Sequence, residues 1–450
     1  MTDPVWLSAT DLGDAYRKGA LSPVAVAQAL LARIEKHEPS LNAFIRREMD
    51  TALLDARQSE VRWRQGKPLS AIDGVPYGLK DVIDAAGQPT TCHSKLRLHH
   101  IAAHDAHVTA LMRQAGAVLM GKLATHEFAL GGPSFDLPFP PARNPWNRDH
   151  HPGGSSSGAG VAVAAGMLPF ALGTDTAGSI RNPAGACGIV GLKPTYDLVP
   201  RDGVFPLAPS LDHVGPLCRS VADAALLLEM LAQRPAAYTA HLDKGLAGLR
   251  IGVVRNFLAL CESQVAEALE KAIVALRDAG ADICDVELPD LGFLQTVNRV
   301  ILQAEGWSIH AQDLRNRAGD FAVSTRKRLL PGAFLAAEDL LCAQRLRRRV
   351  ITSVQELFAG VDILLVPNSF DPICRIDDEA ALQHSYARQA RAPFNLTGHP
   401  AIALPIGFCS KGLPISLQLA GRYHDEASLL RAAYGLERVL PRQTKLPPLD

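Results

Sequence analysis

GGSSSGAGVAVAAGMLPFALGTDTAGSIRNPAGACGIVGLKPT, residues 153–195, is the stretch on which the reading of this chain turns. It sets small residues, three consecutive serines (Ser155, Ser156 and Ser157) and a second serine loop at Ser179 inside an apolar frame. Core sequence has little use for that mixture, because Gly and Ser weaken helices and strands without adding packing. A Gly-rich turn between two buried elements would account for the composition. Two backbone loops approaching a small ligand, with hydroxyls aimed at it, would account for the serines as well. The rest of the chain has to decide between the two.

The 450 residues are 47% apolar and 20% charged, the balance of a globular protein with a large core. Basic and acidic residues both number 46, so nothing global favours nucleic acid or an anionic membrane. The cysteines (Cys92, Cys187, Cys218, Cys261, Cys284, Cys342, Cys374 and Cys409) form no CxxC pair, and several lie in apolar runs. That pattern predicts reduced, buried thiols. Residues 1–20 have neither the basic start nor the apolar stretch of a signal peptide. The longest apolar run, 158–173, is broken by Gly166 and Pro169 and is too short to span a bilayer. A cytoplasmic protein is expected.

Ser8 precedes a periodic run and reads as a helix cap. Pro23 opens a second helix through residue 39, and a third covers 50–66 with Asp50 as its N-cap. Residues 71–87 hold a short strand ending at Lys80, followed by a helix over 106–115 and a strand over 117–120. Downstream, 249–255 is a strand, 263–279 a helix and 281–289 a strand. This β-α-β alternation predicts a parallel or mixed sheet with helices on both faces. Residues 293–358 read as two long helices. Strands are expected at 361–367, 401–407 and 413–421, and a last helix over 426–440. No repeat, linker or charge run separates domains, so one α/β domain over 1–450 is the simplest account: a central twisted mixed sheet flanked by helices.

Several motifs offer chemistry. Gly154-Ser155-Ser156-Ser157-Gly158 fits G-x-S-x-G, but that elbow needs a strand directly before it, and the preceding residues read as loop. As a phosphate loop it lacks the Gly-Lys-Ser/Thr ending. Ser324 to Lys327 matches S-x-x-K without its companion motifs. His93, His99, His100, His104 and His107 crowd together, yet without two ligands on a clear helix face and an acidic third; no metal site is expected. The basic run Arg345 to Arg349 reads as a solvated helix face rather than an RNA contact. Lys80, ending an apolar strand, would be desolvated enough to act as a base for a serine nucleophile. A surface lysine at a turn is the plainer alternative.

These residues resemble the amidase signature hydrolases over nearly the whole chain, most strongly over about 74–195. The matching pieces are GVPYGLKDVIDAAGQPTT, GGSSSGAG, GTDTAGSIRNPA and CGIVGLKPT. The resemblance implies a nucleophile at Ser179, a relay serine at Ser155 behind a cis peptide, and a base at Lys80. The three polar groups should then lie within mutual hydrogen-bond reach. It also implies an oxyanion hole from the N–H groups of Thr176, Ala177, Gly178 and Ser179, with Ser156 among the substrate-binding residues. Ala177, Ser157 and His93 stand where the family usually has Gly; these departures bear on substrate shape and leave the three catalytic positions intact.

The residues and the resemblance together point to an amide hydrolase with a serine acyl-enzyme, using no metal and no cofactor and acting on a small amide. A homodimer or a small accessory subunit is left open; nucleic acid and membrane are not expected partners. Two rival readings remain: a glutaminase-type subunit of a tRNA amidotransferase, and an inactive scaffold. In the amidotransferase relative, the glutamine amino group is received by an aspartate five positions before the proline of P-x-N-L-x-G. Here Pro393, Asn395, Leu396 and Gly398 keep the frame, and Arg388 stands at the aspartate position with Arg391 close behind. A cation facing the pocket would repel an amino-bearing substrate and hold a carboxylate, with Arg391 the expected contact. The alternative is that both arginines point to solvent or pair with Asp377, Asp378 or Glu379.

Overall fold

The computed structural model describes residues 3–234, 236–441 and 445–449, so the ends of the expected 1–450 unit fall outside the described residues. Its strands are β1 (Phe44–Arg47), β2 (Pro76–Lys80), β3 (Val118–Leu123), β4 (Phe170–Asp175), β5 (Val190–Lys193) and β6 (His213–Cys218). The second half adds β7 (Arg250–Val254), β8 (Asp282–Val286), β9 (Ile363–Pro367), β10 (Ala401–Phe408) and β11 (Pro414–Gly421). All join one 11-stranded sheet in the order β1-β3-β2-β4-β6-β5-β10-β11-β9-β7-β8. Parallel pairing runs through β3-β2-β4 and β9-β7-β8; the other neighbours are antiparallel. The expected mixed sheet in a single α/β domain is the one observed.

Every residue of β2, β3, β4 and β6 is buried. Successive side chains on a strand point to opposite faces, so complete burial means that both faces of the central sheet are covered. The edge strands β1 and β8 keep exposed positions. β2 and β4 run parallel with Tyr77 opposite Phe170 and Leu79 opposite Leu172, and their aromatic rings stack at 5.5 Å. Their C-terminal ends therefore emerge side by side, where open α/β sheets bind ligands.

Local signals placed most helices. Ser8 caps Ala9–Arg17 by accepting from the Asp11 N–H, and Pro23 opens Pro23–Leu41. The third helix is Met49–Arg64, one residue earlier than expected. Glu48 takes the N-cap position without a side-chain bond, and Asp50 lies inside the first turn. Residues 293–358 hold more than two helices. Between Leu291–Asn316 and Ala337–Gly360 the chain folds a short helix, Val323–Leu329, flanked by 3₁₀ turns. Burial of the cysteines is also incomplete: Cys284 and Cys342 are exposed, one on edge strand β8 and one on the outer side of Ala337–Gly360. No described helix is long and apolar enough to cross a membrane.

Candidate active site

Lys80 closes β2 beside the end of β4. Its side chain is fully buried, with Nζ 2.8 Å from Ser155 Oγ and 2.7 Å from Thr174 Oγ1. Burial opposes the ammonium form and lowers the pKa to about 7, against a weaker opposite pull from Asp175 and Asp212. A lysine so placed is substantially neutral near pH 7 and can take a proton. Ser155 follows a cis Gly154–Ser155 peptide bond, and its carbonyl accepts from the His126 N–H at 3.1 Å. The His126 ring presses on Gly154, where a Cβ would sit 2.1 Å from Cε1; only glycine fits.

The second serine loop is shaped by one carboxylate. Asp175 accepts from the Gly178 N–H at 2.7 Å and the Ile180 N–H at 3.1 Å, and pairs with Arg181 at 3.0 Å. Both side chains are fully buried. Burial alone would raise the Asp175 carboxyl; the Arg181 guanidinium more than reverses this and holds it well below the usual carboxylate range. Arg181 also donates to Asn395 Oδ1 at 2.6 Å and Gln418 Oε1 at 2.7 Å, tying the loop to the second half of the chain. Among the described residues, the N–H groups of Thr176, Ala177 and Ser179 have no protein acceptor. Those three residues line a cavity, open to solvent, together with Ser155, Leu130, Leu207 and Tyr386.

Several expected positions need correction. The Gly178 N–H is consumed by Asp175, so the unclaimed donors of this loop are Thr176, Ala177 and Ser179. Ser156 is fully buried; its hydroxyl donates to the Thr174 carbonyl at 3.1 Å and its N–H to the Ser179 carbonyl at 3.2 Å, so it braces the loop from behind. Arg391 does not line the cavity. It is 2% exposed, donates to the Asn368 carbonyl and to Ser369 Oγ, and packs behind Gly178. Burial lowers its pKa to about 10, so it stays charged at neutral pH. Arg388 turns away to Asp371 at 2.9 Å and the Leu260 carbonyl at 2.6 Å. Neither arginine pairs with Asp377, Asp378 or Glu379; Asp377 pairs with Arg375 instead. The Ser179 hydroxyl makes no hydrogen bond among the described residues, so the expected three-way contact is closed only between Lys80 and Ser155.

Sequence reasoning missed Thr174, the second partner of Lys80, and Asp212. The latter accepts from Thr176 Oγ1 at 2.6 Å and from the Leu207 and Ala208 N–H groups, and burial raises its pKa to about 6. It also missed Asp175, although that residue lies inside the quoted stretch; no local signal says which N–H a carboxylate will take. No group of three or more His, Cys, Asp or Glu placed to hold a metal occurs among the described residues. The basic run contributes Arg347, which bonds the Leu396 and Ser210 carbonyls rather than standing wholly in solvent.

Gly178 has φ +122°, and a Cβ there would meet Arg391 Nε at 2.6 Å. Gly178→Ala should therefore shift the neighbouring donors and lower kcat about 100-fold. Steady-state kinetics with a panel of small amides checks this; an unchanged kcat would mean that the loop tolerates the shift.

Comparison with known proteins gives a consistent result. The family model described as Amidase matches residues 25–430. The glutamyl-tRNA(Gln) amidotransferase A subunit of Roseiflexus sp. (strain RS-1) is 37% identical over 483 aligned positions, covering 98% of each chain. Among solved structures, a vestigial protein complex that reveals the evolutionary origins of an s-triazine catabolic enzyme superposes with a TM-score of 0.91 at 31% identity, covering 99% of this chain and 100% of that one. The native peptide amidase from Stenotrophomonas maltophilia gives 0.87 at 30% identity, with 98% of each chain covered.

Proposed function

Since the chain belongs to the amidase family of carbon–nitrogen hydrolases, we propose that it cleaves a small amide through an acyl-enzyme on Ser179, with Ser155 as relay and Lys80 as base. The observation that carries this reading is the buried Lys80 amine, 2.8 Å from Ser155 Oγ with its pKa lowered to about 7. Neutral Lys80 takes the Ser155 proton while Ser155 takes that of Ser179, whose Oγ bonds to the carbonyl carbon. The Ser179–Ser155 hydrogen bond forms with substrate bound, as catalytic hydrogen bonds that are open in the free enzyme commonly do. The carbonyl oxygen becomes an oxyanion facing the N–H groups of Thr176, Ala177 and Ser179; one such donor is worth about 3–4 kcal/mol of barrier. The C–N bond then breaks, the leaving nitrogen takes its proton from Ser155, and Lys80 returns one to Ser155. Water repeats the sequence on the ester: its proton passes to Lys80 through Ser155, and Ser179 leaves with a proton as the free acid departs.

A fluorophosphonate should add to Ser179 at one equivalent per chain and block all amide turnover, while the Ser179→Ala protein should take up none. Labelling at another residue, or a panel of small amides releasing no ammonia or amine, would refute the proposal. The second reading rests on the names of the curated relatives: a glutaminase-type subunit inside an amidotransferase complex. Ammonia release from glutamine that appears only on adding partner subunits would favour it. Turnover by the chain alone, as a cytoplasmic enzyme, favours ours.

A further inference from the structure

The candidate cavity holds two guanidinium groups and no anion to match them. Arg299, on the helix Leu291–Asn316, and Arg328, on Val323–Leu329, both line it. Among the described residues neither has a carboxylate within 4.0 Å or a hydrogen bond from its side chain. Arg328 is partly buried and stacks over the Tyr386 ring at 5.1 Å, while its own carbonyl accepts from Gln303 Nε2 at 3.3 Å. Burial lowers its pKa; Tyr386 opposes that, and the like charge of Arg299 adds to it. Beside them Asn298, only 4% exposed, lines the same cavity with Nδ2 buried and unpartnered.

Without a counter-ion the two like charges repel, and Arg328, the partly buried one, also loses hydration; an arriving anion relieves both and takes up the stranded donor. No aspartate or glutamate lines the cavity among the described residues, so a substrate ammonium would find no carboxylate there to pair with. Arg388, which could have influenced this choice, is spent on Asp371.

We infer that the acyl half of the substrate carries a carboxylate and no ammonium, as in the monoamide of a short dicarboxylic acid, with Arg328 and Arg299 holding the carboxylate and Asn298 donating a third hydrogen bond. This rests on the proposed amide hydrolysis for the bond that is cut, but the anion site stands or falls separately.

The test compares kcat/KM for succinamate and butyramide in the wild type, Arg328→Gln and Arg299→Gln. Succinamate should be preferred about 100-fold, and each substitution should reduce that ratio about 10-fold or more. A wild-type ratio near one, or a ratio unchanged in both variants, overturns the inference. Binding of succinate by calorimetry gives a second readout. If no amide is hydrolysed at all, succinate binding to the wild type that is lost in Arg299→Gln, on the exposed side of the cavity, still upholds the anion site. No succinate binding to the wild type overturns it.

Discussion

Lys80→Met should lower kcat/KM by about 10³- to 10⁴-fold at pH 7.5 and make the protein more stable. The first effect follows because no other group near Ser155 Oγ can take its proton; Thr174 and the buried His126, whose pKa burial pushes well below its usual value, are poor substitutes. The wild-type rate should rise with pH and level off above about 7, the value to which burial lowers Lys80. A profile flat from mildly acidic to mildly alkaline pH would exclude the lysine as base. The second effect follows from linkage. An unfolded lysine titrates near 10.4, so between about 7 and 10.4 the unfolded chain binds a proton that the folded one refuses. The penalty is absent above that window, grows as pH falls through it and is constant below pH 7. It reaches on the order of a few kcal/mol. Lys80→Met removes the penalty, so its stability advantage over the wild type should widen from pH 10 to pH 7. Denaturation midpoints across that range measure the gap, and a gap that narrows toward pH 7 would contradict the depressed pKa.

Asp175→Ala should cost about 3–5 kcal/mol of stability and slow fluorophosphonate labelling at Ser179 more than 100-fold. The substitution strands the Arg181 guanidinium, which is fully buried, and frees the N–H groups of Gly178 and Ile180. Asn395 and Gln418 are neutral acceptors and cannot replace the lost charge. Asp175→Asn keeps the shape and removes only the charge, so it should fall between the wild type and the alanine variant in both measurements. If Asp175→Ala unfolds at the wild-type denaturant concentration, or labels at the wild-type rate, the carboxylate does not organise the loop.

Lys80, Ser155 and Ser179 were proposed for chemistry from the resemblance to the amidase signature hydrolases, and local composition added only their setting. Lys80 ends an apolar strand, and Ser155 and Ser179 sit in Gly-rich turns between buried elements. Helix starts at Ser8 and Pro23 were legible locally, since a cap is settled by one side chain and the N–H groups within three residues of it. Asp50 shows the limit: an acid in the first turn and an acid at the cap look alike from sequence.

By itself, then, the sequence determined the α/β architecture, because strand and helix periodicity are properties of neighbouring residues; the three polar groups proposed for catalysis came from its resemblance to the amidase signature hydrolases. The tertiary structure alone decided which way the arginines face. Arg388 and Arg391 were the local candidates for a substrate contact, and long-range packing spent one on Asp371 and the other on Asn368 and Ser369. The open cavity received Arg299 and Arg328 instead, from helices more than a hundred residues beyond the serine loops. It likewise decided that Asp175 takes the Gly178 N–H and leaves those of Thr176, Ala177 and Ser179 unclaimed. A pattern of residues says which side chains seek burial or a partner; only the packed chain settles which partner each one meets.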